Sequence, residues 1–478
     1  MVISFSGLDF MEDCVPNFYR TFRFDDNNFL ITTDHGEWVL LDKDEYRLLR
    51  TNRVREDLNL FNILKEKGII LTKNNIENVI KKYKERNHFL FNGPSLHIVI
   101  PTFRCNQRCI YCHSVAKPLD AKGYDMDEDT AKKIVDFIFK SPAKTLSIEF
   151  QGGDCSFNFD IVKFIIEYAE EKNKKAKKRI LFNIVTNLTK MDDDKLNFLK
   201  KHRIMGLATS LDGPKELHNK NRKYLNGRGT YDDVIYWIKR IKKEFKYDIN
   251  LNAMTTITRY SLDYPKEIVD EFNKLGLRNV WFRFMNNLGF AHTEWKKIGY
   301  TPEEYMKFFN TGLDYIIELN KKGEKITEVM TYIMLKKILN KRDPMFVDIQ
   351  SPCGAAIGQL LYDHKGNIFT CDEAKIFEEF KLGNVKTSNY KDIFNNKTLR
   401  AMIDISSKYP TLCDACPFSP FCGICLVNIY KSQGNIIPKL TEDFRCNIFK
   451  KLIPNIFHRL LFTDNRKIFL KWVSEKKF

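Results

Sequence analysis

The sequence predicts an α/β chain built on a partial barrel of six strand–helix units, with a small module before it and a cysteine-rich region after it. Three observations lead there. Six apolar, strand-like runs alternate with amphipathic helical patterns between residues 96 and 284. Polar and glycine-rich residues recur at the same end of successive runs. The cysteines gather in two groups, three at 105–112 and seven from Cys353 to Cys446, out of 12 in the chain. At 478 residues the chain is also too long for one ordinary core.

The barrel strands read as LHIVI from residue 96, LSIEF from 146, ILFNIVT from 180, GLATS from 206, INLNAMTTI from 249 and NVWFRF from 279. Patterns such as TAKKIVDFIF, FDIVKFIIEYAEE and YPKEIVDEFNKL separate them, as parallel strands joined by crossover helices require. In such barrels chemistry gathers in the loops after the strands' C-terminal ends. The first strand runs into Cys105, Cys109 and Cys112, and the second into Gln151-Gly152-Gly153-Asp154. The third ends at Thr186-Asn187 and the fourth at Ser210-Leu211-Asp212-Gly213.

Residues 18–90 read as a module of their own. FLITTD and EWVLL flank Asp34-His35-Gly36 as a hairpin, Asp42 with Glu45 forms a capping box, a second helix ends at Gly68, and the strand IILT and a charged helix follow. Beyond the barrel, residues 286–345 read as helical, with Thr301, Pro302 and Glu304 as a helix start. The basic tail carries Phe449, Leu452, Ile456, Leu460 and Leu461 at helical spacing, the pattern of a packed C-terminal helix. The expected divisions are 1–92, 93–290, 291–345, 346–450 and 451–478.

The net charge of +17 is spread over lysine-rich surface runs such as KNKKAKKR at 172–179, so nucleic acid binding is not expected. The N-terminus lacks the pattern of a signal peptide, and no apolar stretch reaches the roughly 18 residues of a membrane span. The expectation is a cytoplasmic protein without a membrane partner. In a reducing compartment, clustered cysteines point to metal or cluster ligation.

A four-iron cluster normally takes four thiolates. The C-x3-C-x2-C loop of Cys105, Cys109 and Cys112 supplies three, leaving one iron free to chelate the amino and carboxylate groups of S-adenosylmethionine (SAM). One electron passed to the sulfonium would release a 5′-deoxyadenosyl radical able to take hydrogen from an unactivated carbon; the cofactor carries that chemistry and the protein orients it. Tyr111 packs beside the adenine or simply within the loop. Zinc, with His113 as a fourth ligand, is the competing reading, though zinc prefers two closed pairs of ligands.

The run from RCNQRCIYC through IEFQGGD, TNLT and TSLDGP resembles the radical SAM superfamily. The resemblance implies that Gly152, Gly153 and Asp154 bind the SAM amino group, and that Asn187 and Ser210 lie near its ribose and carboxylate. Arg222, in HNKNR, is a candidate for the carboxylate or a surface helix charge. The family usually has glutamate and proline where this chain has Asp154 and Cys155.

The seven later cysteines resemble the SPASM extension of peptide-modifying radical SAM enzymes, which carries two auxiliary [4Fe-4S] clusters. By that resemblance Cys413, Cys416, Cys422 and Cys446 complete one cluster, while Cys353, Cys371 and Cys425 hold the other. The family usually spaces the last two central cysteines by three residues; Cys422 and Cys425 are spaced by two. A zinc ribbon is the alternative for Cys413 to Cys425. Cys14 and Cys155 read as spare thiols. Sulfatase-maturing relatives have an acid beside the ligand, which makes Asp372 a proton acceptor; otherwise it is a hydrogen-bonded loop carboxylate.

The first ninety residues resemble the winged-helix-like peptide-recognition module of enzymes that modify ribosomally made peptides, where a leader peptide adds a strand to a sheet edge. A structural cap on the barrel is the alternative. FDDNNFLITTDHGEWVLL, MTTITRYSLDYPKEIVDEF, GLRNVWFRF, GQLLYDHKGNIFTCDEA and FKLGNV together are similar to the maturase of the His-Xaa-Ser system. That similarity implies a small ribosomally made precursor peptide as substrate, a partner radical SAM maturase, a reductant such as flavodoxin or ferredoxin, and an oxidative crosslink between side chains. A sulfatase-type maturase oxidising one Ser or Cys, and an iron-sulfur scaffold or electron carrier, are the other readings.

Overall fold

The computed structural model describes residues 14–244, 250–408 and 411–475. The N-terminal module contains β1 (Val15–Pro16), β2 (Arg20–Arg23), β3 (Phe29–Thr32), β4 (Trp38–Leu41) and β5 (Ile70–Leu71). Strands β2, β3 and β4 form an antiparallel sheet, and β1 pairs with β5. The expected hairpin of two strands thus gains a third. RTFR carries an arginine at each end, and Phe22 docks against Phe418 with ring centroids 4.9 Å apart. Helix Lys43–Arg50 starts at the Asp42–Glu45 capping box, as its sequence predicts.

The barrel strands are β6 (Leu96–Thr102), β7 (Thr145–Gly152), β8 (Arg179–Val185), β9 (Gly206–Ser210) and β10 (Asn250–Ile257), followed by β11 (Asn279–Val280) and β12 (Phe282–Phe284). Then come β13 (Thr327–Glu328), β14 (Gln359–Tyr362), β15 (Asn367–Phe369) and β16 (Lys381–Asn384). Nine of these make one sheet in the order β12-β10-β9-β8-β7-β6-β14-β15-β16, parallel from β12 to β14. The last three strands come from the cysteine-rich region, so that region extends the barrel's own sheet. NVWFRF does not form one strand: β11 pairs with β13 and β12 with β10. Trp281 separates the two strands, and beside it the buried Glu328 carboxylate accepts a hydrogen bond from Phe282 N at 3.2 Å.

Alternation along β7 shows how the barrel is built. Leu146, Ile148 and Phe150 are fully buried in one apolar cluster with helices Glu128–Ile138 and Phe159–Ala176. Each such side chain stabilises the fold by about 1.5–3 kcal/mol. On the opposite face Ser147, Glu149 and Gln151 stay partly exposed, as do Asn183, Asn252 and Arg283 on neighbouring strands. The barrel therefore encloses a polar lumen. On the β6 and β14 side the inner face is apolar instead, where Ile98, Ile100 and Leu361 pack with Phe369 and Cys371.

The tail differs from the expected boundary at 451. Its helix begins at Phe444, so Cys446 lies in the first turn, and a second helix, Arg466–Glu475, follows. The N-terminal module sits on the loop that carries Cys413, Cys416 and Cys422. Thr32 Oγ1 donates to Pro417 O and Arg86 Nη2 to Pro420 O, both at 2.7 Å.

Two histidines are fully buried. His97 lies 3.0 Å from the Tyr362 hydroxyl, and His218 lies 3.0 Å from Thr230 Oγ1. Burial pushes both down to about 3, so the unfolded chain takes up protons that the folded one refuses. Their contribution is complete above about pH 6.5 and is lost as pH falls toward 3, at up to about 1.4 kcal/mol per pH unit for each. The urea unfolding midpoint is expected to drop between pH 6.5 and pH 5; a flat midpoint over that range would refute the reading.

Candidate cluster and cofactor site

The three cysteines of the first group occupy the loop that leaves β6. Backbone bonds shape this loop: Cys105 N donates to Lys117 O at 2.9 Å, Cys112 N to Cys109 O at 3.2 Å and Ile110 N to Asn221 O at 3.1 Å. Two glycines let neighbouring strand ends press against it. A Cβ on Gly153 would stand 2.3 Å from Arg104 O, and one on Gly289, whose φ is +57°, would stand 2.4 Å from Cys112 O. Larger residues would displace the loop.

The Cys105 sulfur accepts weak hydrogen bonds from Gln107 N at 3.4 Å and Asn187 Nδ2 at 3.6 Å. Burial, with Asp154 and then the thiols of Cys109 and Cys112 nearby, pushes Cys105 well above the usual thiol range, and burial pushes Cys109 up to about 11. Thiols held this way need a metal's charge to ionise them. Three converging thiols with N–H donors to sulfur fit an iron-sulfur cluster.

Around this loop the predicted SAM residues take definite places. Both oxygens of the buried Asp154 are engaged: Oδ1 accepts from Ser156 N at 2.9 Å and Ser156 Oγ at 2.6 Å, and Oδ2 from Asn187 N at 2.7 Å and Thr186 Oγ1 at 2.9 Å. Asp154 thus ties the end of β7 to the end of β8. Ser210 stands at the end of β9, in register with Met254. Arg222 is not a surface charge. Its Nε donates to the Tyr111 hydroxyl at 2.7 Å and lies 3.5 Å from Asp212, while Tyr111 donates to Asp212 Oδ2 at 2.7 Å. Asp212 is wholly buried and was not among the expected site residues, although TSLDGP carries it.

The second group of cysteines divides between two cavities. Cys413, Cys416, Cys422 and Cys446 line one, with Phe418, Phe449 and Lys450. Cys353, Cys371 and Cys425 line the other, with Asp348, Glu373 and Arg445. The two-residue spacing before Cys425 therefore does not separate it from Cys353 and Cys371. Asn428 Nδ2 donates to the Cys425 sulfur at 3.0 Å. Burial pushes Cys353 and Cys413 up to about 12. Cys155 is fully buried, its thiol 3.5 Å from Val185 O.

The two regions meet across the lumen. His113, next to Cys112, is bonded through Nε2 to Asp372 Oδ2 at 2.8 Å, and Asp372, next to Cys371, also pairs with Lys375 Nζ at 2.6 Å. His113 is therefore engaged by a carboxylate through Nε2. Burial alone would raise Asp372, but Lys375 and His113 carry it well below the usual carboxylate range. Arg283 from β12 pairs with Asp348 at 3.0 Å and approaches Glu373 at 3.8 Å. Burial, then Asp348 and Asp372, push Glu373 up to about 7. Only the alternation of Ser, Glu and Gln along β7 hints at this lumen in the sequence.

Residues 99–272 match the Radical SAM superfamily, and residues 353–417 match the SPASM iron-sulfur cluster-binding domain. The chain is a radical SAM enzyme, and SAM and [4Fe-4S] clusters are its cofactors. Its SPASM domain makes it a radical SAM/SPASM protein.

It is 24% identical over 370 residues to the cysteine-type anaerobic sulfatase-maturating enzyme of Clostridium perfringens, covering 76% of this chain and 95% of that one. It is 22% identical over 511 residues to TigE, a radical SAM cyclopropyl synthase of Paramaledivibacter caminithermalis, covering 98% and 100%. Native anSMEcpe with bound AdoMet and Kp18Cys peptide shares the fold at a TM-score of 0.64 and 21% identity, over 76% of this chain and 99% of that one. SuiB of Streptococcus suis bound to precursor peptide SuiA shares it at 0.52 and 16%, over 89% and 97%. Among the described residues no helix is long and apolar enough to cross a membrane.

Proposed function

We propose that the chain is a peptide maturase that oxidises side-chain carbons of a small ribosomally made precursor peptide and joins two of them. A peptide of the His-Xaa-Ser kind is its expected substrate. The observation that carries this reading is the His113–Asp372 hydrogen bond of 2.8 Å, which links the SAM-cluster loop to the Cys371 loop over one polar lumen. A substrate held there meets both ends of a net oxidation.

In this reading Cys105, Cys109 and Cys112 hold the SAM cluster. Cys353, Cys371 and Cys425 hold one auxiliary cluster; Cys413, Cys416, Cys422 and Cys446 hold the other. When bound, these groups supply a 5′-deoxyadenosyl radical for hydrogen abstraction and an acceptor for the substrate's second electron. The protein's own part is to bind and orient. Gly152, Gly153 and Asp154 would hold the SAM amino group, Asn187 and Ser210 would lie near its ribose and carboxylate, and Arg222 would balance the negative charge near Cys109. Asp372 is the carboxylate assigned to receive the proton that leaves the oxidised substrate carbon; Lys375 and His113 hold it ionised, which leaves it ready to accept but makes it a weak base.

The N-terminal module supports a precursor with a leader segment, which would extend the sheet at the β2 or β4 edge. Relatives bear on this point. The sulfatase-maturating enzyme is matched almost whole by 76% of this chain, whereas TigE is matched whole by 98% of it. A large part of this chain thus has no counterpart in the former.

The test is anaerobic reconstitution with SAM, a reductant and a His-Xaa-Ser precursor, read by mass spectrometry. The expected product has lost two hydrogens per event and fails to fragment between the joined residues. Conversion of a lone Ser or Cys to an aldehyde, in a sulfatase-derived peptide only, would replace this reading with the sulfatase-type one.

A further inference from the structure

Among the lumen's carboxylates, one lacks a charged partner. Asp372 is paired with Lys375 at 2.6 Å and Asp348 with Arg283 at 3.0 Å, while Glu373 has Arg283 at 3.8 Å. Glu149, on the inner face of β7, meets no cation within ion-pair distance among the described residues. Its Oε1 accepts from Gln151 Nε2 at 2.5 Å. The charged groups facing it from other elements are Asp372, Asp348 and Arg283. The two acids repel it, and the arginine is already committed to Asp348 and Glu373.

The neighbouring strands offer nothing better. Ile98 of β6 lies in register with Glu149 on one side and Asn183 of β8 on the other, and Asn183 Nδ2 is donated to Ser147 Oγ at 2.9 Å. Glu149 is partly exposed on the lumen side, so its carboxylate is open to an incoming cation that the chain itself does not supply. Glu149 lies three residues before Gly152, about 10 Å down β7 from that strand end. A side chain reaching into the lumen from a peptide at its mouth would arrive there.

We propose that Glu149 is a specificity-determining residue that binds a positively charged side chain of the peptide substrate, imidazolium or guanidinium, and so sets which residue stands beneath the reacting carbon. This rests on the peptide-maturase reading and adds the chemistry of one subsite to it. The incoming cation would form the charge-assisted hydrogen bond that the chain leaves open, with the Gln151 amide fixing the carboxylate's orientation.

The test uses the cluster-loaded full chain and precursor peptides identical except for arginine, histidine or glutamine at one core position. KM and kcat for the two-hydrogen loss are measured for the wild type and for Glu149→Gln. The expected result is a KM lower by about 10- to 100-fold for the cationic peptides in the wild type, a preference that vanishes in Glu149→Gln. Loss of the histidine preference, but not of the arginine preference, is expected as pH rises above the imidazole's range. A preference that persists in Glu149→Gln overturns the proposal, as does a wild type that treats all three peptides alike. If the variant fails to load its clusters, Glu149→Asp replaces it, with a reduced preference expected. A wild type that modifies none of the peptides overturns the maturase reading itself, an outcome distinct from uniform modification of all three.

Discussion

Joint replacement of Cys105, Cys109 and Cys112 by alanine is expected to reduce 5′-deoxyadenosine formation to background and to remove about four irons per chain, leaving the remaining iron in place. Chromatography of reduced, SAM-supplied protein and an iron assay are the checks. The loop's shape does not depend on its thiols: it is held through backbone bonds to Lys117, Asn221 and Lys223 and pressed between Gly153 and Gly289. The other thiols line separate cavities with their own walls. Removal of the first set should therefore empty one site and spare the others. Persistent SAM cleavage in the triple variant would end the assignment, and loss of all iron would show that the sites do not assemble independently.

How much of this was legible in the sequence depends on whether the signal was local. The strand–helix alternation and the C-x3-C-x2-C loop could be read because each is a short pattern with its own physics. The division of the later cysteines was read only through family resemblance. It agrees with the two cavities, although Cys422 and Cys425, three positions apart, line different ones. What escaped was long-range. Nothing near His113 announces Asp372, 259 positions away in sequence. Nor does RTFR announce a strand, since Phe22 packs against Phe418 from across the fold as well as against Phe24. For Arg222 the sequence leaves two readings, a ligand for the SAM carboxylate or a surface helix charge, and does not announce Asp212 as its partner; the chain turns at the end of helix Lys215–Asn221 and carries the guanidinium inward to it. The alternation Ser147-Ile148-Glu149-Phe150-Gln151 is the one local trace of the lumen, since an ordinary barrel would fill the inward positions with branched apolar residues.

Arg222→Met is expected to destabilise the chain by about 3–5 kcal/mol, read as a lower urea midpoint. Asp212 has no exposure, and Arg222 is the one cation within 4 Å of it among the described residues. Burial works against the Arg222 cation, but Cys109, Tyr111 and Asp212 together keep it protonated. Methionine keeps most of the volume and removes the charge, which leaves a buried carboxylate held only by the Tyr111 hydroxyl and backbone. Adding Asp212→Asn removes that carboxylate, so the double variant should regain most of the stability. SAM affinity should not return with it. Tyr111 lies between two cluster ligands, and its hydroxyl is positioned by Arg222 on one side and Asp212 on the other. With both gone, the loop that presents Cys109 and Cys112 loses its anchor to the end of β9. A single variant as stable as wild type would show that the pair contributes nothing to folding. A double variant that binds SAM normally would show that the network serves the fold alone.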